Sequence, residues 1–238
     1  MINTEQTPPA AKSAPGAAAK AGGGRRRLDA REREQQIIDG ATEFFARRGL
    51  DAQMRELAAE LGIAHTLLYH YFPTKRLLIE RVYDETIAGR WDTRWETLLD
   101  DRKIGVQEKL HAFYREYLPA ILTAEWLRIL VYSGLSDGLI PTRYFGMVRE
   151  RLFPRLLREL RRAAGSRSKA QATPREEALL MTFHGGLIYH LGIWPLVYQQ
   201  SYAGAGDPAM IDTFIADRIR GLILQAPEIV AQKTRPAA

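Results

Sequence analysis

The 238-residue chain has no cysteine, which removes disulfide frameworks, thiolate metal sites and cysteine nucleophiles from consideration and fits a reducing compartment. It also has no run of about 18 uncharged apolar residues, and its N-terminus lacks the apolar stretch of a secretory signal. The expectation is a cytoplasmic protein with no membrane partner. Alternating apolar and polar runs, the mark of half-buried strands, are missing too, as is any internal repeat. No zinc-ligand spacing occurs. His184 and His190 stand six residues apart, roughly 120° around a helix, so they do not share a face that could hold an ion. No metal or cofactor is expected.

What is present is ordinary globular material, 46% hydrophobic and 26% charged, enough for a chain of this length to bury a core. The net charge is +6, which favours a polyanionic partner, because phosphates attract Lys and Arg and release counterions on contact. Most of that excess sits at one end. Residues 1–27 hold Lys12, Lys20, Arg25, Arg26 and Arg27 against Glu5 alone, in an Ala-, Pro- and Gly-rich stretch without apolar periodicity. This segment is expected to be a disordered basic tail, with Arg25 to Arg27 either solvated or laid against DNA.

From Asp29 onward apolar residues recur at spacings of three and four, so the remainder is expected to be all-α. Ile37, Ile38, Ala41, Phe44 and Phe45 form one such stripe. It is opened by a capping box, Asp29 with Glu32, and closed by Gly49. A short helix over Met54 to Leu61, a turn at Gly62-Ile63 and a third helix over about 64–71 follow. Pro73 cannot continue that helix, and Thr74 caps a fourth running to about Arg90. Further helices are expected at about 104–122, 125–136 and 143–164, the last kinked or split by Pro154. After a polar loop at 165–172, Thr173-Pro174-Arg175-Glu176 starts helix eight, which runs to about Tyr198 with a bend at Pro195. Asp207-Pro208 starts helix nine, which Pro227 is expected to stop.

Helix two and helix three form a helix-turn-helix if their backbones can approach and the joining turn accepts an unusual dihedral. Ala58 supplies the small residue, Gly62 the turn, and Leu57, Leu61, Ile63 and Leu68 the side chains that bury against helix one. The segment Ile37 to Gly49 (IIDGATEFFARRG), the segment Leu57 to Ile63 (LAAELGI) and the segment Leu68 to Leu78 (LYHYFPTKRLL) together resemble the N-terminal domain of the TetR family of transcriptional regulators. The likeness spans about 50 residues; beyond it only length and helical layout are shared.

That resemblance implies about nine helices in an all-α fold: a helix-turn-helix DNA-binding domain at 28–76 and a larger ligand-sensing and dimerisation domain at 77–238. It implies a sequence-specific transcriptional regulator, a repressor released from a palindromic double-stranded operator by a small-molecule effector. DNA would be met by Gln53, Met54 and Arg55 at the start of helix two, by His65, Thr66, Tyr69 and His70 on helix three, and by Tyr71, Thr74 and Lys75 along the phosphates. Family members commonly carry Ser or Thr where this chain has Gln53 and Ala64, so one cap and one phosphate contact are expected to be missing. Helices eight and nine would pair with their copies in a homodimer through Leu180, Phe183, Leu187, Phe214, Ile215 and Leu222. Trp95, Tyr114, Tyr117, Trp126, Phe153 and His184 are the candidates to line a largely apolar effector pocket, although core packing accounts for the same residues. Helix four is the expected lever between the two functions.

Two rival readings compete with this one. Gly134-Leu135-Ser136-Asp137-Gly138 fits the G-x-S-x-G pattern of a serine hydrolase, but that motif needs a buried strand before it, and residues 125–135 read as helix. A helical scaffold that binds no DNA is the other. The residues favour a non-enzymatic regulator over both.

Overall fold

A computed structural model describes residues 29–201 and 206–230 of the chain. Among the described residues the architecture is entirely helical. The expected tail at 1–27 lies outside them.

Helix α1 (Ala30–Arg48) begins at the Asp29 capping box and ends at Gly49, whose φ of 81° suits a residue without a Cβ. Its stripe of Ile37, Ile38, Ala41, Phe44 and Phe45 is buried throughout. Helices α2 (Met54–Glu60) and α3 (His65–Tyr71) follow, joined through Gly62 at φ 63°. Helix α4 (Lys75–Thr86) starts at Thr74, whose hydroxyl accepts from the Leu77 amide at 3.2 Å. It is shorter than expected. The chain leaves the helix at Ile87, makes a 3-10 turn over Ala88–Arg90, and starts an unanticipated helix α5 (Thr93–Asp100) capped by Asp92. Trp95 and Leu99 anchor α5 in the core.

Helices α6 (Val106–Ile121) and α7 (Ala124–Leu135) fall where the periodicity puts them. Helix α8 (Leu139–Met147) begins four residues early, because Gly138 takes the left-handed conformation that lets the chain turn straight back into helix. It continues through a π-helical turn, Val148–Leu152, into α9 (Phe153–Ala163). This turn is the disruption expected at Pro154. Proline donates no amide hydrogen bond, and the helix absorbs the misfit by widening one turn, with the Phe153 amide donating to the Val148 carbonyl. Helix α10 (Pro174–Ile188) repeats the pattern, passing into a π-helical segment, Tyr189–Val197, that contains Pro195.

Helix α11 (Pro208–Val230) starts at Asp207, whose carboxylate accepts from the Ala209 amide at 2.9 Å. Pro227 does not stop it, contrary to expectation: the helix carries the proline in its last turn, where only one intrahelical bond is lost. Counting α8 and α9 as one interrupted helix, the described residues form ten helices where nine were expected, the addition being α5.

Two ion pairs are buried in this core. Lys109 on α6 reaches Glu159 on α9 at 2.9 Å and the Leu99 carbonyl at 3.2 Å. Arg161 on α9 grips Glu176 on α10 with two bonds of 2.8 and 2.7 Å. Charges so deep survive only when paired and fully hydrogen-bonded, so each pair fixes how its helices meet.

Candidate nucleic-acid interface

Helix α1 is the platform for α2 and α3. Leu57, Ala58 and Leu68 are buried, Leu61 and Ile63 partly so. Leu61 lies over Gly40 of α1, where a Cβ would come within 2.2 Å of the leucine side chain. That close approach is why α2 can nestle against α1, and Gly40 is a structural residue that sequence reasoning passed over. Arg47 at the end of α1 forms an ion pair with Glu60 at the end of α2. With the apolar residues of α3 turned inward, its remaining face is left to solvent: His65, Thr66, Tyr69 and His70 are all exposed. His65 and Tyr69, one turn apart, meet edge to face with ring centroids at 4.6 Å.

Gln53, Arg55 and Thr74 are exposed nearby, and Tyr71 and Lys75 are half-buried at the junction of α3 and α4. Met54 differs from expectation. Its side chain is buried among the core residues under α2 and cannot present itself to a nucleic acid. The missing cap at Ala64 is seen as expected, since an alanine has no group to accept the free amides of α3. At Gln53 the loss is partly offset, because the Glu56 carboxylate accepts from the Gln53 amide at 3.4 Å.

The exposed set combines hydroxyls, imidazoles, a guanidinium and an ammonium on one small surface. Such groups donate to phosphate oxygens and base edges. Thr74 spends an oxygen lone pair on the Leu77 amide and keeps its own proton to give outward. The unit is not basic as a whole: residues 29–76 hold seven Arg and Lys against eight Asp and Glu. The cations that could meet phosphate are therefore specific ones, Arg55, Lys75 and Arg76, with much of the acid on α1.

Residues 37–82 match the family model described as "Bacterial regulatory proteins, tetR family". The N-terminal helix-turn-helix of this chain is therefore similar to that of the TetR family. An uncharacterized HTH-type transcriptional regulator of Mycobacterium tuberculosis is 41% identical over 51 residues, 21% of this chain and 22% of the relative, so that match spans about a fifth of the relative's length. The uncharacterized HTH-type transcriptional regulator TtgW of Pseudomonas putida is 28% identical over 120 residues, covering 48% of this chain and 85% of the relative. The overall fold is shared with two TetR-family proteins of known structure. One, from Mesorhizobium loti, has a TM-score of 0.53 at 16% identity and covers 83% of this chain and 98% of its own. The other, from Streptomyces coelicolor, has a TM-score of 0.55 at 20% identity, covering 86% and 87%.

Beyond the matched segment the six effector candidates lie together, but mostly in solid core. Trp95, Tyr114, Tyr117, Trp126 and His184 are buried among one another and Phe113, with Phe113 and Tyr117 stacked at 5.0 Å. Phe153 alone also reaches the wall of a cavity, between α9 and α10. At the centre is a hydrogen-bonded chain that also runs through Tyr144. The Tyr114 hydroxyl meets His184 Nδ1 at 3.2 Å, His184 Nε2 meets the Tyr144 hydroxyl at 3.1 Å, and Tyr144 meets the Tyr117 hydroxyl at 3.0 Å. Burial without a carboxylate partner drives the His184 imidazole down to about 3, so it is neutral. The same burial raises all three phenols.

Of the dimerisation candidates, Leu180, Phe183, Leu187, Ile215 and Leu222 are buried within the single chain, where α10 and α11 pack together, and Phe214 is half-buried. The apolar groups these helices turn outward are others: Met210 and Leu224 on α11, and Tyr189 and Tyr198 at the end of α10. Helical periodicity finds a stripe but cannot say which of two neighbours covers it.

Gly134 to Gly138 spans the end of α7 and the left-handed turn into α8. Ser136 is exposed there, with no strand before it among the described residues, and the buried hydroxyl is that of Ser133, which donates to Asp137 and accepts from the Ile140 amide. Similarity to known proteins gives the hydrolase reading no support. No group of His, Asp and Glu suited to a metal occurs among the described residues, and none of their helices is by itself long and apolar enough to cross a membrane.

Proposed function

We propose that this TetR-family regulator is a homodimeric repressor that reads a palindromic operator through α3 and leaves it when a small molecule binds. Residues 28–76 form the DNA-binding part and residues 77–238 the sensing and dimerisation part. The observation that carries the reading is the division of α3: Leu68 is buried, and His65, Thr66, Tyr69 and His70 are together in solvent. A seven-residue helix held by Leu68, with four polar and aromatic side chains together in solvent on the second helix of a helix-turn-helix, is the arrangement that entry into a major groove requires.

One copy would make few phosphate contacts, so tight binding requires two recognition helices about 34–36 Å apart on one duplex. The outward residues of α10 and α11 are the surface on which a second copy would pair. The test is selection of bound sequences from a random duplex library by the purified chain, followed by affinity against salt for the winner. An enriched palindrome supports the reading; no enrichment, with only steep salt-dependent binding, refutes it. A monomer in sedimentation analysis at micromolar concentration would refute the dimer.

A further inference from the structure

An apolar cavity of about 450 Å³ opens between the first turns of α9, the 165–173 connection and the first turns of α10. That volume lies in the range of small-molecule sites, roughly 300–1,000 Å³. Its floor is apolar, made by Phe153, Leu157 and Leu180. Its rim is cationic, with Arg149, Arg158 and Lys169 all exposed. Arg149 is balanced by Glu177 at 2.7 Å and Arg158 by Asp100. Lys169 has no acidic partner among the described residues, so the mouth carries one surplus positive charge.

One wall is held in place before anything binds. The buried Arg161 guanidinium, itself fixed by Glu176, donates to the carbonyls of Ser168, Ala170 and Gln171 at 3.3, 2.7 and 3.2 Å. A connection that would otherwise be free to move is tied down by one side chain, which lowers the ordering cost of binding.

The geometry points to a site for a small amphipathic anion: an apolar body on Phe153, Leu157 and Leu180, and a single carboxylate at the mouth beside Lys169 and Arg149. An uncharged body of the same length lacks the headgroup contacts, and a short anion lacks the floor. This deepens the sensing half of the proposed function. Binding at the site is measured without DNA, so that the two can fail separately.

The test is calorimetric titration of the full chain with decanoate, decanol and acetate. Decanoate is expected to bind one per chain, decanol at least about tenfold more weakly because it lacks charge-assisted bonds, and acetate not measurably. The variant R149Q/K169Q, altered only at exposed positions, is expected to lose at least about tenfold for decanoate while keeping its melting temperature. L157W, which fills the floor, is expected to lose binding. Equal affinity for decanoate and decanol, unchanged affinity in R149Q/K169Q, or no decanoate binding at all would each overturn the site. If decanoate binds as expected but leaves operator affinity unaltered, the site stands and the effector-release reading falls. If a palindromic operator is enriched but decanoate does not bind, the site falls and the operator reading stands.

Discussion

Acid should destabilise this protein through one residue, His184, by an amount that can be worked out. The imidazole is fully buried and bonded only to phenols, with Tyr114 on one nitrogen and Tyr144 on the other. No carboxylate among the described residues touches it, so the protonated form gains no counterion, and burial holds its pKa near 3 against 6.5 in an exposed chain. The unfolded state therefore binds a proton between pH 6.5 and 3 that the native state refuses, and stability falls as the pH falls through that window. Integrated from pH 7.5 to 5.0, this single group costs about 2 kcal/mol. Other groups titrate over the same range, so the measurement is a difference. His184→Gln keeps a donor and an acceptor in roughly the same place but cannot titrate. Urea unfolding of both proteins at fixed protein concentration, at pH 7.5 and 5.0, should show the gap between wild type and variant shift by about 2 kcal/mol in favour of the variant at the lower pH. A gap that is the same at both values would mean that His184 is not held neutral, and the closed hydroxyl–imidazole chain would be the wrong description of this core.

Three further outcomes are expected. Gly62→Ala puts a Cβ on a residue at φ 63° with open space around it, so it should cost about 1 kcal/mol in urea unfolding through backbone strain alone; no loss would mean the turn relaxes. Lys75→Ala should weaken binding to all duplexes alike and lower the slope of log affinity against log salt by about 2 for the dimer, one contact being lost from each protomer, whereas Tyr69→Ala should weaken the selected operator more than random duplex. Removing residues 1–27, which takes away Arg25 to Arg27 from each protomer, should lower the same salt slope by up to about 5 for the dimer if those arginines meet phosphate, and leave it unchanged if they stay in water.

What the sequence made legible was local. Caps at Asp29, Thr74, Thr173 and Asp207, the left-handed turns at Gly49 and Gly62, and the buried stripe of α1 all depend on residues within one or two turns of each other, so spacing reveals them. The disruption at Pro154 was legible for the same reason. What escaped was tertiary. Nothing local marks Gly40 as the seat of Leu61, Tyr144 as the residue joining His184 to Tyr117, or Met54 as core. Trp95, Tyr114, Tyr117, Trp126 and His184 read equally well as pocket or packing, and the structure packs them. The outward set on α10 and α11 differs from the sequence-based set because an amphipathic stripe records that a face is covered, and within this chain α6, α9 and the packing of α10 on α11 already cover it.

On the proposed function, the route from an effector to α3 is constrained by how α1 to α4 are held. Helix α4 was the expected lever, running from Thr74 into the sensing part, but it is not the sole tie. Helix α1 packs along α7, with the Tyr132 ring 3.7 Å from where a Cβ would stand on Gly49. Helix α4 is pinned to α8 by Arg143, which bonds Asp84 at 3.1 Å and lies over the Tyr83 ring at 4.9 Å. Helices α1 and α4 also pack on each other, and Arg81 on α4 pairs with Glu34 on α1 at 3.6 Å. A swing of α4 alone would open both contacts at once. On the proposed repressor reading, a rotation of α1 to α4 together would keep the α1–α4 contacts and would have to give only at α7 and Arg143. An effector drives that motion only through its difference in affinity between the two arrangements, about 5.5 kcal/mol to carry a 1:99 population to 99:1. Sites that move α7 or α8 can supply it; a ligand that leaves both helices where they are cannot, however tightly it binds.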